Sequence, residues 1–452
     1  MDAERELGMT VGLSEQEKIR QQFDAEPYPR IPLEGFPKDD FERFFQNSLV
    51  TPYYLHHHHV IDMQDRLILD AGCGSGYKAV VLAAANPGAK IIGVDLSEQS
   101  VKLARQRFEF HQLAGGEFHQ LSLYDIKQLG LEFDYISCDE TLYLLPDPVA
   151  GLEALKSVLK PKGILRANLH SKYQRARLYQ AQELFKFMGL LDESPGEFEA
   201  EVVLETMNSL KPATQLKEET WQQMRISNLE LEKMRELIAT NFLLVGDKGY
   251  SILDLFDMLE QANLELISMV NWRQWEIMDL FKDADNLPAF WDLSLAEASL
   301  RDRLHVFELL HPVHRLLDFW CTHPDMDQAI SVSDWSEADW RRVVAHLHPH
   351  LQNQILKESL LSAIERAKPF EISQQVKLPT NSPIVLEANL AACLLPLWES
   401  PQPIAVLVER YQRSNPVDPV TLEPIGTEAA FTTVKDLLRR LEIYLYVLLE
   451  RS

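Results

Sequence analysis

The sequence predicts an α/β fold: a parallel sheet with helices on both sides, a helical insertion and a small C-terminal helical unit. Three observations carry this reading. Between 66 and 169, short apolar runs alternate with amphipathic stretches. They are RLILD (66–70), 76–85, KIIGVD (90–95), 98–110, 117–121, FDYISC (133–138), 149–159 and GILRANL (163–169). Repeated strand–helix–strand order makes a parallel sheet covered on both faces. Next, Gly72, Gly74 and Gly76 directly follow the first apolar run, at the strand end where such sheets hold ligands. Finally, beyond 170 the pattern turns to long amphipathic stretches rich in Glu, Gln, Leu and Met.

The elements follow in order. Residues 14–30 begin with a polar helical segment. PYPRIPLEGFP (27–37) holds four prolines and reads as an extended, stiff wrap. In DDFERFFQNSL (39–49) a helix resumes, with Phe41, Phe44, Phe45 and Leu49 on one face. TPYYLHHHHV (51–60) is expected to be a loop. After the alternating core, SILDLFDMLEQANLELISMV (251–270) predicts a helix capped by Ser251 and then a strand that completes the sheet. Residues 272–325 read as helical again, and a terminal helix is expected over 431–450. The chain therefore divides into N-terminal wrap and lid helices (1–60), a core (61–170, completed by about 241–270) and a helical insertion (171–240). A further helical region (271–330) and a C-terminal helical or winged-helix-like unit (331–452) follow. Length alone gives a prior of roughly three domains for 452 residues.

The net charge of -24 argues against nucleic-acid binding, which needs phosphate neutralisation by Lys and Arg. An acidic surface serves solubility and would also attract a basic protein or peptide. The four cysteines, Cys73, Cys138, Cys321 and Cys393, have no CxxC spacing, which points to a reducing compartment. The start MDAERELGMTVGL lacks the form of a signal peptide. The apolar stretch 381–398 is broken by Glu387, Asn389 and Pro396, so no stable membrane insertion is expected. The expected location is cytoplasmic.

The glycine loop ILDAGCGSGYKAV (68–80) has no GxxxxGK[ST] pattern, so it is no Walker loop. Gly74 to Ala79 does match the dinucleotide fingerprint, and Asp95 ends the next strand where a ribose-binding acid would stand. Asp70 decides against a dinucleotide. A carboxylate just before the glycines repels a pyrophosphate. It suits S-adenosyl-L-methionine, which carries an ammonium and a sulfonium and no phosphate. The plain alternative for Asp70 is a turn or helix cap.

These residues resemble the class I S-adenosylmethionine-dependent methyltransferases. The first motif runs from Leu69 to Tyr77 and the second from Gly93 to Ser97. FDYISCDETLYLLPDP (133–148) is similar to the family's fourth strand and following loop, and LKPKGILRANL (159–169) to its fifth strand. The resemblance implies a Rossmann-like fold and a cofactor site. In it, Asp70 holds the methionine amino group and Gly72, Gly74 and Gly76 line the cofactor. Asp95 takes the ribose hydroxyls, Leu96 packs on the adenine, and Asp139 belongs to the same site. Ser122 and Leu123 stand where the family often has an acid facing the adenine amine. This departure leaves that role to backbone groups or Asp125. NFLLVGDKGYSILDLFDMLEQANLELI (241–267) and LHVFELLHPVHRLLDFW (304–320) resemble a regulatory region appended in a bacterial subgroup, with a C-terminal winged-helix-like module. Some members of that subgroup methylate protein lysines. The resemblance implies a methyl acceptor that is a protein or a small molecule, with a lysine-type amine favoured.

Candidate acceptor-side residues lie past the strand ends: Asp139, Glu140, Tyr143, Asn168 and His170, with Tyr28, Arg30, Tyr53 and Tyr54 from the wrap. Of these, Glu140, Asp139, Tyr143, His170 and Tyr54 form the expected catalytic set. Acids and tyrosine faces suit an amine. The bland readings are a solvated acid for Glu140, sheet-edge packing for the tyrosines and a loop-supporting hydrogen bond for His170. SCDE replaces the NPPY-type run that grips planar nitrogens. No metal is expected. His56 to His59 are adjacent, so their side chains diverge, and His311, His314, Cys321 and His323 fit ordinary helix packing. A non-catalytic cofactor-binding protein and an NAD-linked oxidoreductase are the competing readings, and a homo-oligomer is left open.

Overall fold

The structure is a computed structural model describing residues 14–37, 41–324, 329–375, 383–418 and 420–451. Its centre is a seven-stranded sheet. The strands are β1 (Leu67–Ala71), β2 (Lys90–Asp95), β3 (Gly116–Gln120), β4 (Phe133–Cys138), β5 (Leu159–His170), β6 (Glu265–Met269) and β7 (Leu316–Thr322). They lie in the order β3-β2-β1-β4-β5-β7-β6. Strands β1 to β5 pair in parallel, and β7 runs antiparallel to both β5 and β6. Six consecutive buried residues in β4 are what a central strand covered on both faces requires. The order reverses between β1 and β4, which opens the crevice at their carboxyl ends.

The N-terminal helices are α1 (Glu15–Ala25), α2 (Phe41–Asn47) and α3 (Val50–His57); α4 (Tyr77–Ala85), α5 (Glu98–Phe110) and α6 (Pro148–Lys156) are the crossovers. Helix α5 starts where Ser97 Oγ accepts the Ser100 N–H, and it buries Val101, Ala104 and Phe108 as their spacing predicts. The insertion consists of α7 (Ala176–Phe187), α8 (Glu197–Ser209) and α9 (Leu231–Asn241) around Phe185, Trp221 and Phe242. Helix α10 (Ile252–Gln261) opens on a Ser251–Asp254 capping box and leads into β6.

Three sequence expectations are corrected. Residues 51–60 are mostly helix, not loop: α3 continues to His57 and stops where His58 turns left-handed at φ 46°. Pro52 sits in its first turn, where a proline costs the helix nothing. The region 272–325 is not wholly helical. After α11 (Ala289–Ala296) and α12 (Leu300–Leu310), LLDFWCT forms β7 and fills the gap between β5 and β6. A short apolar run cannot be told from a buried helix by periodicity alone. The terminal helix ends at Glu442, and Val447–Arg451 is a strand. Residues 39 and 40 of the second predicted helix lie outside the described residues.

The C-terminal unit contains the short strands β8 (Val343–Leu347), β9 (Phe370–Glu371), β10 (Val385–Leu386), β11 (Gln402–Pro403) and β12 (Val447–Arg451). β8 lies between β11 and β12, antiparallel to both. Its longest helices span Gln354–Glu365, Ile404–Ser414 and Thr427–Glu442. One continuous apolar cluster runs from Ile68, Tyr135 and Trp320 in the large sheet through Val50 and Tyr54 to Leu347 and Leu449. Burial of that order, about 1.5–3 kcal/mol per large apolar side chain, welds this unit to the core. Among the described residues, no helix is long and apolar enough to cross a membrane.

Candidate active site

The glycine loop turns out of β1 with φ of +85°, +48° and +80° at Gly72, Gly74 and Gly76. All three positions must be glycine for a second reason. A Cβ on Gly72 would stand 2.2 Å from Thr141 Oγ1, and one on Gly74 would stand 2.2 Å from the Tyr28 carbonyl oxygen. The loop past β4 and the proline-rich wrap therefore both press on bare backbone. Gly76 lets α4 pack on Ala104 of α5 and does not line the cavity.

The wrap is fastened there. Ser75 N–H donates to Tyr28 O at 2.9 Å and Ser75 Oγ to Pro29 O at 2.8 Å. The buried Arg107 donates to the carbonyls of Ser75, Ile31 and Pro32 at 3.0, 2.6 and 2.7 Å. Together with Ile19 and Phe23 of α1, the wrap roofs a cavity of about 450 Å³.

The floor of the cavity follows the strand ends. Asp95 closes β2; its Oδ2 accepts the Gly74 N–H at 2.9 Å and its Oδ1 the Ser97 N–H at 2.8 Å. Leu96, Ser122 and Leu123 line the wall beside it, and Asp125 does not. The Ser122 hydroxyl accepts the Tyr124 N–H at 3.3 Å, starting a short turn. Asp70 lies deeper, outside the cavity's lining, 1% exposed, and its Oδ2 has no hydrogen-bond partner. Burial pushes its carboxyl up to about 8; Asp139 and Asp95 add to this and Lys78 opposes it. A buried carboxylate oxygen without a donor calls for one. An ammonium meets that need, and Gly72 and Gly74 line the cavity. The residues present thus fit S-adenosylmethionine: Asp70 offers an unmet oxygen to an ammonium, and Asp95 stands at the end of the next strand.

Past β4, Asp139 and Glu140 both line the cavity. Asp139 meets Lys78 Nζ at 2.7 Å. Burial opposes its ionisation, but Lys78 and Arg166 outweigh burial and hold the carboxyl below its ordinary value. Glu140 has φ 54°, a strained conformation for a residue with a side chain. Its N–H donates to Asn168 Oδ1 at 2.8 Å. Its carboxylate accepts the Tyr143 hydroxyl at 2.7 Å and takes both terminal guanidinium nitrogens of Arg315. Burial again opposes ionisation; Arg315, through its charge and its hydrogen bonds, holds the carboxyl well below the usual range.

The expected catalytic set is therefore brought together only in part. Tyr143 and His170 do not face the cavity. They stack on each other at 3.8 Å, behind Glu140. Tyr54 is a correction: it is fully buried against the C-terminal unit. Its hydroxyl donates to Glu442 at 3.1 Å and accepts the Leu449 N–H at 3.0 Å. The face of α3 that carries it is the one that docks that unit. Tyr28 lines the cavity, whereas Arg30 pairs with Glu26 outside it. The ring of Tyr53 rests on His57. His56 and His57 end α3, Cys321 is buried in β7, and His314 stacks on Trp275.

Several residues of the site escaped the sequence reading. Arg166 of β5 forks onto Asp318 at 3.0 and 2.6 Å and reaches Asn47 Oδ1 at 2.7 Å. An arginine within the apolar run GILRANL was the available signal, since such residues are rarely buried unpaired. Lys78 projects from the first turn of α4, and α2 adds Arg43, Gln46 and Asn47. Arg315 follows HPVH and carries no local signature.

A sequence family described as a methyltransferase domain matches residues 64–232. An uncharacterised Synechococcus protein is 30% identical over 325 residues, which cover 70% of this chain and 73% of that one. A ubiquinone biosynthesis O-methyltransferase of Acinetobacter baylyi is 31% identical over 107 residues, covering 23% of this chain and 44% of that enzyme. Among solved structures, PKMT2 from Rickettsia typhi is similar in fold. The TM-score is 0.58 at 16% identity, covering 91% of this chain and 76% of that one. Its complex with AdoHcy gives 0.57 at 15% identity, covering 92% and 78%. Through its sheet order, its glycine loop and these relatives, the chain belongs to the class I S-adenosylmethionine-dependent methyltransferases, in one family with the Synechococcus protein.

Proposed function

We propose that the chain transfers the methyl group of S-adenosylmethionine to a lysine-type amine on a protein. The carrying observation is Glu140, an ionised carboxylate set in the cavity wall at a strained φ of 54° and gripped by Tyr143 and Arg315. Strain of this kind persists where the surroundings over-determine a residue, and it clusters at functional sites. S-adenosylmethionine supplies an electrophilic methyl when bound at Asp70, Gly72, Gly74, Asp95, Leu96, Ser122 and Leu123. The chain's own part is alignment, which lowers such barriers by up to about 7–11 kcal/mol.

Glu140 accepts an N–H of the acceptor amine and directs its lone pair. Tyr28, whose hydroxyl burial pushes up to about 12 with Glu140 adding to the shift, stays neutral and offers a ring face to a cationic group. The net charge of -24 favours approach by a basic protein surface. The stretch shared with the O-methyltransferase covers 23% of this chain, too little to set the acceptor.

The test is methyl-labelled cofactor incubated with the protein and a cell extract, followed by separation into protein and small-molecule fractions and acid hydrolysis. Methylated lysine in the protein hydrolysate is the expected product. Label confined to small molecules overturns the reading.

A further inference from the structure

We infer that Asp247 is a positioning residue of the acceptor site, acting through the tautomer of His170 to hold Arg315 on Glu140. The inference rests on the reading of Glu140 as the acceptor-side carboxylate.

His170 ends β5 with its ring 1% exposed. One ring nitrogen, Nδ1, stands 2.7 Å from Asp247 Oδ1. The other, Nε2, stands 3.0 Å from Arg315 NH1 and 3.6 Å from Glu140 Oε2. A guanidinium nitrogen can only donate. At 3.0 Å from Arg315, Nε2 must therefore accept, which puts the ring proton on Nδ1, where Asp247 receives it. The hydrogen bond made by one imidazole nitrogen sets the state of the other. The donors run in one direction: Arg315 to His170, His170 to Asp247. The remaining Arg315 donors fork onto Glu140.

Asp247 is built for this. Its side chain is fully buried. Its Oδ2 accepts from Arg175 at 3.0 Å and from Gln182 at 2.8 Å. Burial opposes its ionisation, and His170 and Arg175 outweigh it. Gln182 lies on α7 and Arg175 just before it, so the helical insertion and the acceptor carboxylate form one hydrogen-bonded unit. Arg175 and Gln182 also bind Asn241, at the far end of the insertion.

Asp247→Asn breaks the direction of the chain. An amide N–H facing Nδ1 makes that nitrogen an acceptor and moves the ring proton to Nε2. Nε2–H then opposes Arg315 and turns toward Glu140. Turnover is expected to fall about 10–100-fold, the size typical of outer partners that orient a reacting group. Cofactor affinity should stay within about threefold, because none of these residues touches Asp70 or Asp95.

The direct test is nitrogen-15 NMR of the full chain with labelled histidine, His170 being assigned by its loss in His170→Asn. In the wild type, Nδ1 is expected to be the protonated nitrogen and Nε2 the bare one. Asp247→Asn is expected to reverse them. A wild-type His170 with the proton on Nε2 overturns the inference, even if the variant does not fold. A folded Asp247→Asn with an unchanged His170 spectrum and unchanged turnover overturns it too. The nature of the methyl acceptor has no bearing on this spectrum, so failure here is distinct from failure of the lysine reading.

Discussion

The two halves of the site are assembled in opposite ways. Most of the cofactor half comes from one short stretch of chain, with Asp70, Gly72, Gly74, Asp95 and Leu96 falling within residues 70–96 and only Ser122 and Leu123 beyond it. Its key group, Asp70, has one buried oxygen, Oδ2, without a hydrogen-bond partner. The acceptor half draws Glu140, His170, Asp247 and Arg315 from four distant points, and every one of them is paired. A half built to take a charged ligand keeps a buried oxygen unmet. A half built to align a neutral nucleophile holds its charges already compensated. The first should answer to binding measurements and the second to turnover.

Glu140→Gln should have the largest effect. Turnover is expected to fall about 100-fold or more, as for loss of a positioned acid or base, in a single-turnover assay at saturating cofactor. Asp70→Ala comes next. Removing the carboxylate that meets a buried ammonium should weaken S-adenosylmethionine binding about 30-fold or more, given about 2–5 kcal/mol for one partner of a buried charged pair. Calorimetry reads this directly, and binding within threefold of wild type would break the comparison.

The pH dependence is smaller. The Asp70 carboxyl sits near 8 in the free chain, above its unfolded value. Its contribution to folding stability is therefore full at low pH and is lost as pH climbs toward 8. Binding a cation draws off that proton, so affinity should rise by up to about tenfold per pH unit from 6 to 8 and then level. Proton release measured in buffers of different ionisation enthalpy checks the sign. Tyr54→Phe should do least: about 1 kcal/mol of stability, read by thermal unfolding, with cofactor affinity unchanged.

The same contrast explains what could be read from the chain alone. The glycine loop, the acid at its head and the acid one strand over are local, so residue type and spacing reveal them. Helix α10 was legible because Ser251 and Asp254 write its start. Tyr54 was misplaced because its neighbours, Glu442 and Leu449, lie roughly 390 residues on, and only packing brings them together. β7 was missed because its apolar run also fits a buried helix, and its place between β5 and β6 depends on partners far away. Arg315 and Asp247 had no signature for the same reason. Each becomes meaningful through His170, which the sequence put in the expected catalytic set and which stands between Asp247 and Arg315 in the structure.

One measurement tests the separation of the two halves most directly: titration of S-adenosylmethionine into Glu140→Gln by calorimetry at pH 8, beside the turnover of the same preparation. An affinity within about threefold of wild type is expected together with a loss of turnover of about 100-fold. Loss of cofactor binding in Glu140→Gln, or full turnover in it, would contradict a separation of the two halves.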